Sequence, residues 1–166
     1  DKVVRLAHIL NRFQGGGKLY VVPFQDTQVA IRDHCTDSNR VVLYRRMMYR
    51  ISHALAELKN YQGLVTGESE GQVASQTLKN LMAVSCAVPM SVLRPLIGMN
   101  KQEIITHAKQ IGTYEISIEP QPDCCSVFMP DHPGTSCKIK YLEADERLYP
   151  WEELMSSALN SVETID

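Results

Sequence analysis

Two stretches of the chain hold side chains whose types and spacing could do chemistry. The first is Leu64-Val65-Thr66-Gly67-Glu68-Ser69-Glu70-Gly71. An apolar pair gives way to small and acidic residues, and Val73, Leu78, Leu81 and Met82 then open a helical period. That is the pattern of a strand running through a loop into a helix. In an open parallel sheet, ligands bind beyond the carboxyl ends of the strands. Gly67 and Gly71 would let the backbone come close to a ligand, and a helix N-terminus offers unpaired N–H groups. Glu68 and Glu70 suit a ribose hydroxyl or a magnesium ion. They equally suit a plain βα turn whose acids complement the helix dipole, and a short glycine motif does not choose between the two.

The second stretch is Cys124-Cys125, preceded by Asp123 and surrounded by Pro120, Pro122, Pro130 and Pro133. A core cysteine belongs in a periodic segment, as Cys86 does, whereas this pair lies in an irregular arm where reactive residues concentrate. The thiolate is the nucleophilic form, and an accessible cysteine of low pKa can carry or attack sulfur. An inert exposed pair is the alternative. His132, in the same arm, either tunes a thiol or is a surface residue. Arg45 and Arg46 are adjacent in a helical segment, so they point about 100° apart. At most one shares the apolar edge, and the other is expected in solvent. Arg94-Pro95 ends a strand and faces the same edge as the glycine loop.

The elements that must position these groups follow from periodicity. Val3, Leu6, Ala7, Leu10 and Phe13 predict a helix stopped by Gly15-Gly16-Gly17. Residues 18–24 read as a buried strand, and 26–35 as a short helix with Asp26 at its N-cap. Tyr44, Met47, Met48, Ile51, Leu55 and Leu58 predict one long helix over 40–58. Residues 61–66 form the next strand, 71–86 a helix, and 91–98 a strand ending in a proline turn. Residues 100–112 carry Asn100 as N-cap, Glu103 at the third helical position and Gly112 past the end. Strands alternating with helices predict an α/β fold, a parallel sheet with helices on both faces. A cysteine-bearing arm spans about 119–140, and the tail over 146–166 is predicted helical.

Composition narrows the class. The chain has 166 residues, 44% hydrophobic and 22% charged, which suits one soluble globular domain. A net charge of −2 carries no basic footprint for nucleic acid. No run of about 18 apolar residues predicts a membrane span, and no signal peptide is read at the start. The five cysteines are odd in number, which argues against a disulfide framework and for a reducing, cytoplasmic setting. No Cys-x-x-Cys pair or histidine cluster has metal-ligand spacing, so no metal site is predicted.

Beyond composition, "LVTGESEGQVASQTLKNL", "VLRPLIGMNKQEIITHAKQIGTYEISI" and "DCCSVFMPDHPGT" together resemble the catalytic core of the tRNA 4-thiouridine synthetase family, the tRNA sulfurtransferases. "KLYVVPFQDTQVAIRD" and "VVLYRRMMYRISHALAE" fit the same pattern, so the resemblance covers residues 1–145. It implies a Rossmann-like PP-loop ATP pyrophosphatase domain of the adenine nucleotide alpha hydrolase type. It implies ATP, accompanied by Mg2+, as the cofactor. It implies adenylation of a tRNA uridine and replacement of the activated oxygen by a cysteine persulfide sulfur. The implied partners are tRNA and a cysteine desulfurase, with sulfur supply to thiamine thiazole synthesis as a second role. ATP contacts are implied at Arg45, Gly67 and Gln76. The implied catalytic cysteine falls in the Cys124-Cys125 pair. Ungapped counting from Gly67 selects Cys124, and the local Cys-x-Val-Phe pattern selects Cys125, which is preferred with Cys124 kept open. The second thiol that resolves the persulfide is then the other member of the pair or Cys137.

The family's Ser-Gly-Gly-x-Asp-Ser phosphate loop does not occur in these 166 residues. The reading is therefore a partial domain that lacks its N-terminal strands and a tRNA-binding domain and does not turn over ATP by itself. Its sheet edge is then either exposed or covered by a second copy in a homodimer. Two other readings stand beside this one: a PP-loop sulfurtransferase for a different acceptor, and a nucleotide-binding module without chemistry.

Overall fold

A computed structural model describes residues 2–121 and 128–165. Its centre is one helix, α3. To reach it the chain forms α1 (Lys2–Gln14), β1 (Leu19–Val21), α2 (Gln25–His34) and a 3-10 turn (Asp37–Asn39) before α3 (Arg40–Leu58). Of the stripe predicted for α3, Tyr44, Met47 and Ile51 are buried, joined by Val42 and Leu43, whereas Leu58 at the helix end is 70% exposed. Each such aliphatic side chain removed from water contributes about 1.5–3 kcal/mol. α2 packs on one flank of this helix, and α4 (Leu78–Ser85) and α8 (Trp151–Asn160) pack on others.

β2 (Leu64–Val65) and β3 (Val92–Leu93) run parallel, with Leu64 opposite Val92 and Val65 opposite Leu93. This pair carries the predicted parallel order and brings the Thr66–Gly71 loop beside the end of β3. Thr66 N donates to Leu93 O at 3.0 Å and Glu70 N to Ile97 O at 3.1 Å. β1 departs from that order. It pairs antiparallel with β4 (Glu163–Ile165), a strand in the tail that was predicted wholly helical. Thr164 and Ile165 are β-branched and can form such a strand once α8 ends at Asn160.

Other local departures have local causes. α2 begins at Gln25, with Phe24 at the N-cap, so Asp26 lies in the first turn and complements the dipole without capping. The helix predicted over 71–86 begins only at Leu78. Val73 is extended, Ala74–Gln76 make a 3-10 turn, and the Thr77 side chain caps the helix by accepting from Asn80 N. α5 (Lys101–Gln110) has the predicted capping box, with Asn100 and Glu103 bonding each other's backbone, and ends before Gly112 at φ +77. α6 (Tyr114–Ser117) packs against α1, and α7 (Ile139–Glu146) runs into α8. Among the described residues, no helix is long and apolar enough to cross a membrane.

Candidate functional site

The loop after β2 is organised by Glu68, whose side chain is 5% exposed. Its carboxylate accepts hydrogen bonds from Arg45 Nη2, from Arg94 Nε at 2.5 Å, from Tyr49 OH at 2.7 Å and from Thr66 Oγ1 at 3.0 Å. α3 supplies two of these donors because Arg45 and Tyr49 are one turn apart and share a face. The end of β3 supplies Arg94, which also donates to Ser85 Oγ at 2.6 Å. Two guanidinium groups against one carboxylate leave a net positive charge beside Gly67. A cluster of that sign attracts anions, and planar guanidinium suits phosphate oxygens.

Gly67 itself is open: a Cβ built there meets nothing within 4 Å. Gly71 has φ +74, the left-handed region that glycine takes without strain, and its N–H donates to Gln76 O at 3.0 Å. The Gln76 side chain reaches back across the loop, where its Oε1 accepts from Ser69 N at 3.0 Å. Ser69 Oγ in turn donates to Met99 O at 2.8 Å. Of the two loop acids, Glu68 is therefore a buried hub and Glu70 an exposed side chain.

A pocket of about 470 Å³ opens beside this loop. Arg45 and Met48 of α3 form one side, Ser75 and Gln76 of the 3-10 turn a second, and Met129 and Pro133 of the arm a third. Arg45 Nη1 donates to Ser75 O at 3.3 Å and to Ser75 Oγ at 3.2 Å, which ties the arginine to the pocket border. The structure thus brings Arg45 and Gln76 together in one pocket. Gly67 stands at the loop next to Glu68 and does not line that pocket.

Cys124 and Cys125 lie outside the described residues. Cys137 is half-buried, and burial, with Asp145 nearby, pushes its thiol pKa up. Its Sγ faces Ser38 O at 3.9 Å and Gly134 O at 3.8 Å. A thiol so placed stays protonated at neutral pH, which weakens it as a resolving nucleophile. Cys35 is held up to about 12 by burial and by Asp145 and Glu146. His132 is exposed. Among the described residues, no group of three or more His, Cys, Asp or Glu could hold a metal.

The expectation that one of the paired arginines is solvated is overturned. Arg46 is 2% exposed. It gives Nε to Glu146 Oε1 at 2.7 Å and Nη2 to Glu146 Oε2 at 3.0 Å, and Arg50 makes a second fork to the same carboxylate. Burial works to raise the Glu146 pKa, but the hydrogen bonds from Arg50 and Arg46 outweigh it and hold the carboxyl below its ordinary value. Sequence reasoning missed Glu68, Tyr49 and Glu146 as partners. The i, i+4 spacings Arg45/Tyr49 and Arg46/Arg50 were the available signal, since each pair shares one carboxylate.

The fold is that of a known class. A solved 4-thiouridine synthetase–RNA complex with bound ATP superposes with a TM-score of 0.90 and 38% identity, over 99% of this chain and 44% of that one. The family model described as thiamine biosynthesis protein (ThiI) matches residues 1–149, and the chain belongs to this family. A probable tRNA sulfurtransferase of Caldanaerobacter subterraneus is 46% identical over 149 residues, covering 89% of this chain and 39% of the relative. One of Thermus thermophilus is 45% identical over 165 residues, covering 99% and 41%. The chain thus spans about two-fifths of the length of the curated relatives it matches.

Proposed function

We propose that this chain is the part of an ATP-dependent tRNA sulfurtransferase that holds the adenylate side of the reaction and the sulfur-carrying arm. The observation that carries the reading is the Glu68-centred pair of arginines beside an open Gly67, at the carboxyl end of a parallel strand pair. The residues fit a nucleotide. Arg45 and Arg94 supply positive charge for phosphate oxygens, Gly67 allows close backbone approach, and Gln76 offers an amide for the sugar or base. The apolar side chains of Met48 and Met129 suit a planar base. Arg45, Arg94 and Gln76 are each held by hydrogen bonds before any ligand arrives, which lowers the ordering cost of binding.

In the reaction, uridine O4 attacks the α-phosphorus of ATP, and pyrophosphate leaves with its bonding electrons. A Mg2+ bound with ATP would offset charge on the phosphates, with Arg45 and Arg94 as this chain's own positive groups. The terminal sulfur of a persulfide on Cys125 or Cys124, loaded by a cysteine desulfurase, then attacks C4 and AMP departs. A second thiol attacks the cysteine sulfur of the resulting disulfide link. That frees 4-thiouridine and leaves a protein disulfide, which a thiol reductant returns to two thiols. The raised pKa of Cys137 favours the adjacent cysteine as the second thiol. Sulfur supply to thiamine thiazole synthesis is a second use of the same persulfide, and a second copy of the chain is a candidate cover for the sheet edge.

The test is ATP-dependent 4-thiouridine formation by the intact protein. Cys125→Ser is expected to abolish it while ATP binding stays within about threefold of wild type, since the pair is remote in sequence from the nucleotide contacts. Retained thiolation with loss in Cys124→Ser moves the role to Cys124. Retention in both removes it from the pair.

A further inference from the structure

Asn80 sits in the first turns of α4 with no exposed surface, next to Leu81, Ala83 and Val84, which are also buried. Burying an amide without hydrogen-bond partners is unfavourable. This one is bonded three ways, always to backbone. Nδ2 donates to Ala74 O at 2.9 Å and to Gly134 O at 2.8 Å, and Oδ1 accepts from Cys137 N at 2.9 Å. Ala74 belongs to the 3-10 turn that contributes Ser75 and Gln76 to the pocket. Gly134 and Cys137 belong to the arm, more than 50 residues away along the chain.

Further contacts close the same joint. Thr77 Oγ1 donates to Thr135 O at 2.7 Å, and Gly134 N donates to Ser38 O at 2.8 Å. A Cβ on Gly134 would meet Ser38 O and Cys137 Sγ, each at 2.8 Å, so a side chain there would force the joint to shift. At the other end of the described arm, Phe128 O accepts from Arg40 Nη1 at 3.1 Å, and the Phe128 ring lies under the Arg32 guanidinium at 4.7 Å. Met129 and Pro133, the arm's contribution to the pocket, lie between these two anchors.

We infer that Asn80 is a positioning residue whose single amide locks the arm to the nucleotide-side turn and so sets the distance between two walls of the pocket. This rests on the function proposed above. A leucine at this position would keep the apolar packing of α4 on α3 but leave Ala74 O, Gly134 O and Cys137 N without this partner. What the amide adds is a fixed direction: its two coplanar N–H groups hold Ala74 O and Gly134 O in one plane. The joint thereby holds Met129 and Pro133 of the arm against Ser75 and Gln76 of the turn.

The test uses the intact protein with Asn80→Asp and, separately, Gly134→Ala. Asn80→Asp keeps the shape and the acceptor for Cys137 N, but turns a carboxylate oxygen toward the two carbonyls. Gly134→Ala opens the same joint from the arm side. Hydrogen exchange at Gly134 N is expected to quicken at least tenfold in both, with α3 amides unchanged. In thiolation, KM for ATP is expected to rise at least tenfold, because the two pocket walls are no longer held at one spacing, and kcat to fall about 100-fold, the effect of misplacement by about 1 Å. Arm exchange equal to wild type in both variants overturns the inference, as does equal acceleration of the arm and α3. If wild type forms no 4-thiouridine, the proposed function fails while the exchange result still decides the role of Asn80.

Discussion

Two Arg–Glu–Arg clusters are built on neighbouring residues of α3, and they serve different ends. Arg46 and Arg50 close as two forks on Glu146, behind Trp151, whose ring lies under the Arg50 guanidinium at 4.5 Å. Arg46 further donates to Ala83 O at 2.5 Å, so that cluster clamps α7 and α4 to the core helix. Arg45 meets Glu68 instead, together with Arg94, Tyr49 and Thr66, at the border of the pocket. About 100° of helix rotation separates the two arginines. The difference teaches that a buried ion cluster is read by what lies beyond it. Two helices, α4 and α7, lie beyond Arg46 in the Glu146 cluster, and an open glycine loop lies beyond the Glu68 cluster.

The strongest way to break the comparison is to remove the two carboxylates in turn. Glu146→Ala strands Arg46, whose side chain is 3% exposed, in the core and is expected to cost about 3–5 kcal/mol in denaturant unfolding. Glu68→Ala is expected to cost less, about 1–3 kcal/mol, because Arg45 and Arg94 keep side-chain exposures of 12% and 17% and can rehydrate. ATP affinity is expected to reverse that order: at least tenfold weaker in Glu68→Ala, and unchanged per folded molecule in Glu146→Ala. Equal stability costs with equal ATP affinities would erase the distinction.

Acid sharpens the comparison next. Glu146 has a folded-state pKa below its ordinary 4.5, so its contribution to stability is complete above about pH 4.5. That contribution is lost as pH falls through the lowered value, because the unfolded chain binds the proton first. Glu146→Gln is expected to flatten this acid limb in pH-dependent unfolding, and an unchanged limb would refute the assignment. The smallest effect is expected of Trp151→Leu, where loss of the cation–π contact costs about 0.5–2 kcal/mol in the same unfolding measurement. ATP binding should not respond.

How much of this was legible in the sequence depended on the range of the interactions. The stripe that made α3 and the Asn100/Glu103 box that started α5 are local, and both were legible, apart from Leu58 at the exposed end of α3. The start of α4 misread because Gly71 through Gln76 can continue a helical period on paper, whereas Thr77 caps better and Gly71 takes the left-handed region. β1 lost its expected place because its partner, β4, lies at the other end of the chain. At the site, Gly67 and the paired arginines stood out by type, and the resemblance to the sulfurtransferases picked Arg45 over Arg46. The burial of Arg46 could not be read, since Glu146 is 100 residues away. Nor could the role of Glu68, whose two arginines lie 23 and 26 residues off on different elements.

The most direct measurement is ATP affinity of the intact protein, wild type against Arg45→Met and Arg46→Met, with unfolding free energies taken on the same samples. Arg45→Met is expected to weaken ATP at least tenfold with a small loss of stability. Arg46→Met is expected to lose several kcal/mol of stability, of the order found when one partner of a buried ion pair is removed, while its folded fraction binds ATP as wild type does. Wild-type ATP affinity in Arg45→Met would contradict the account.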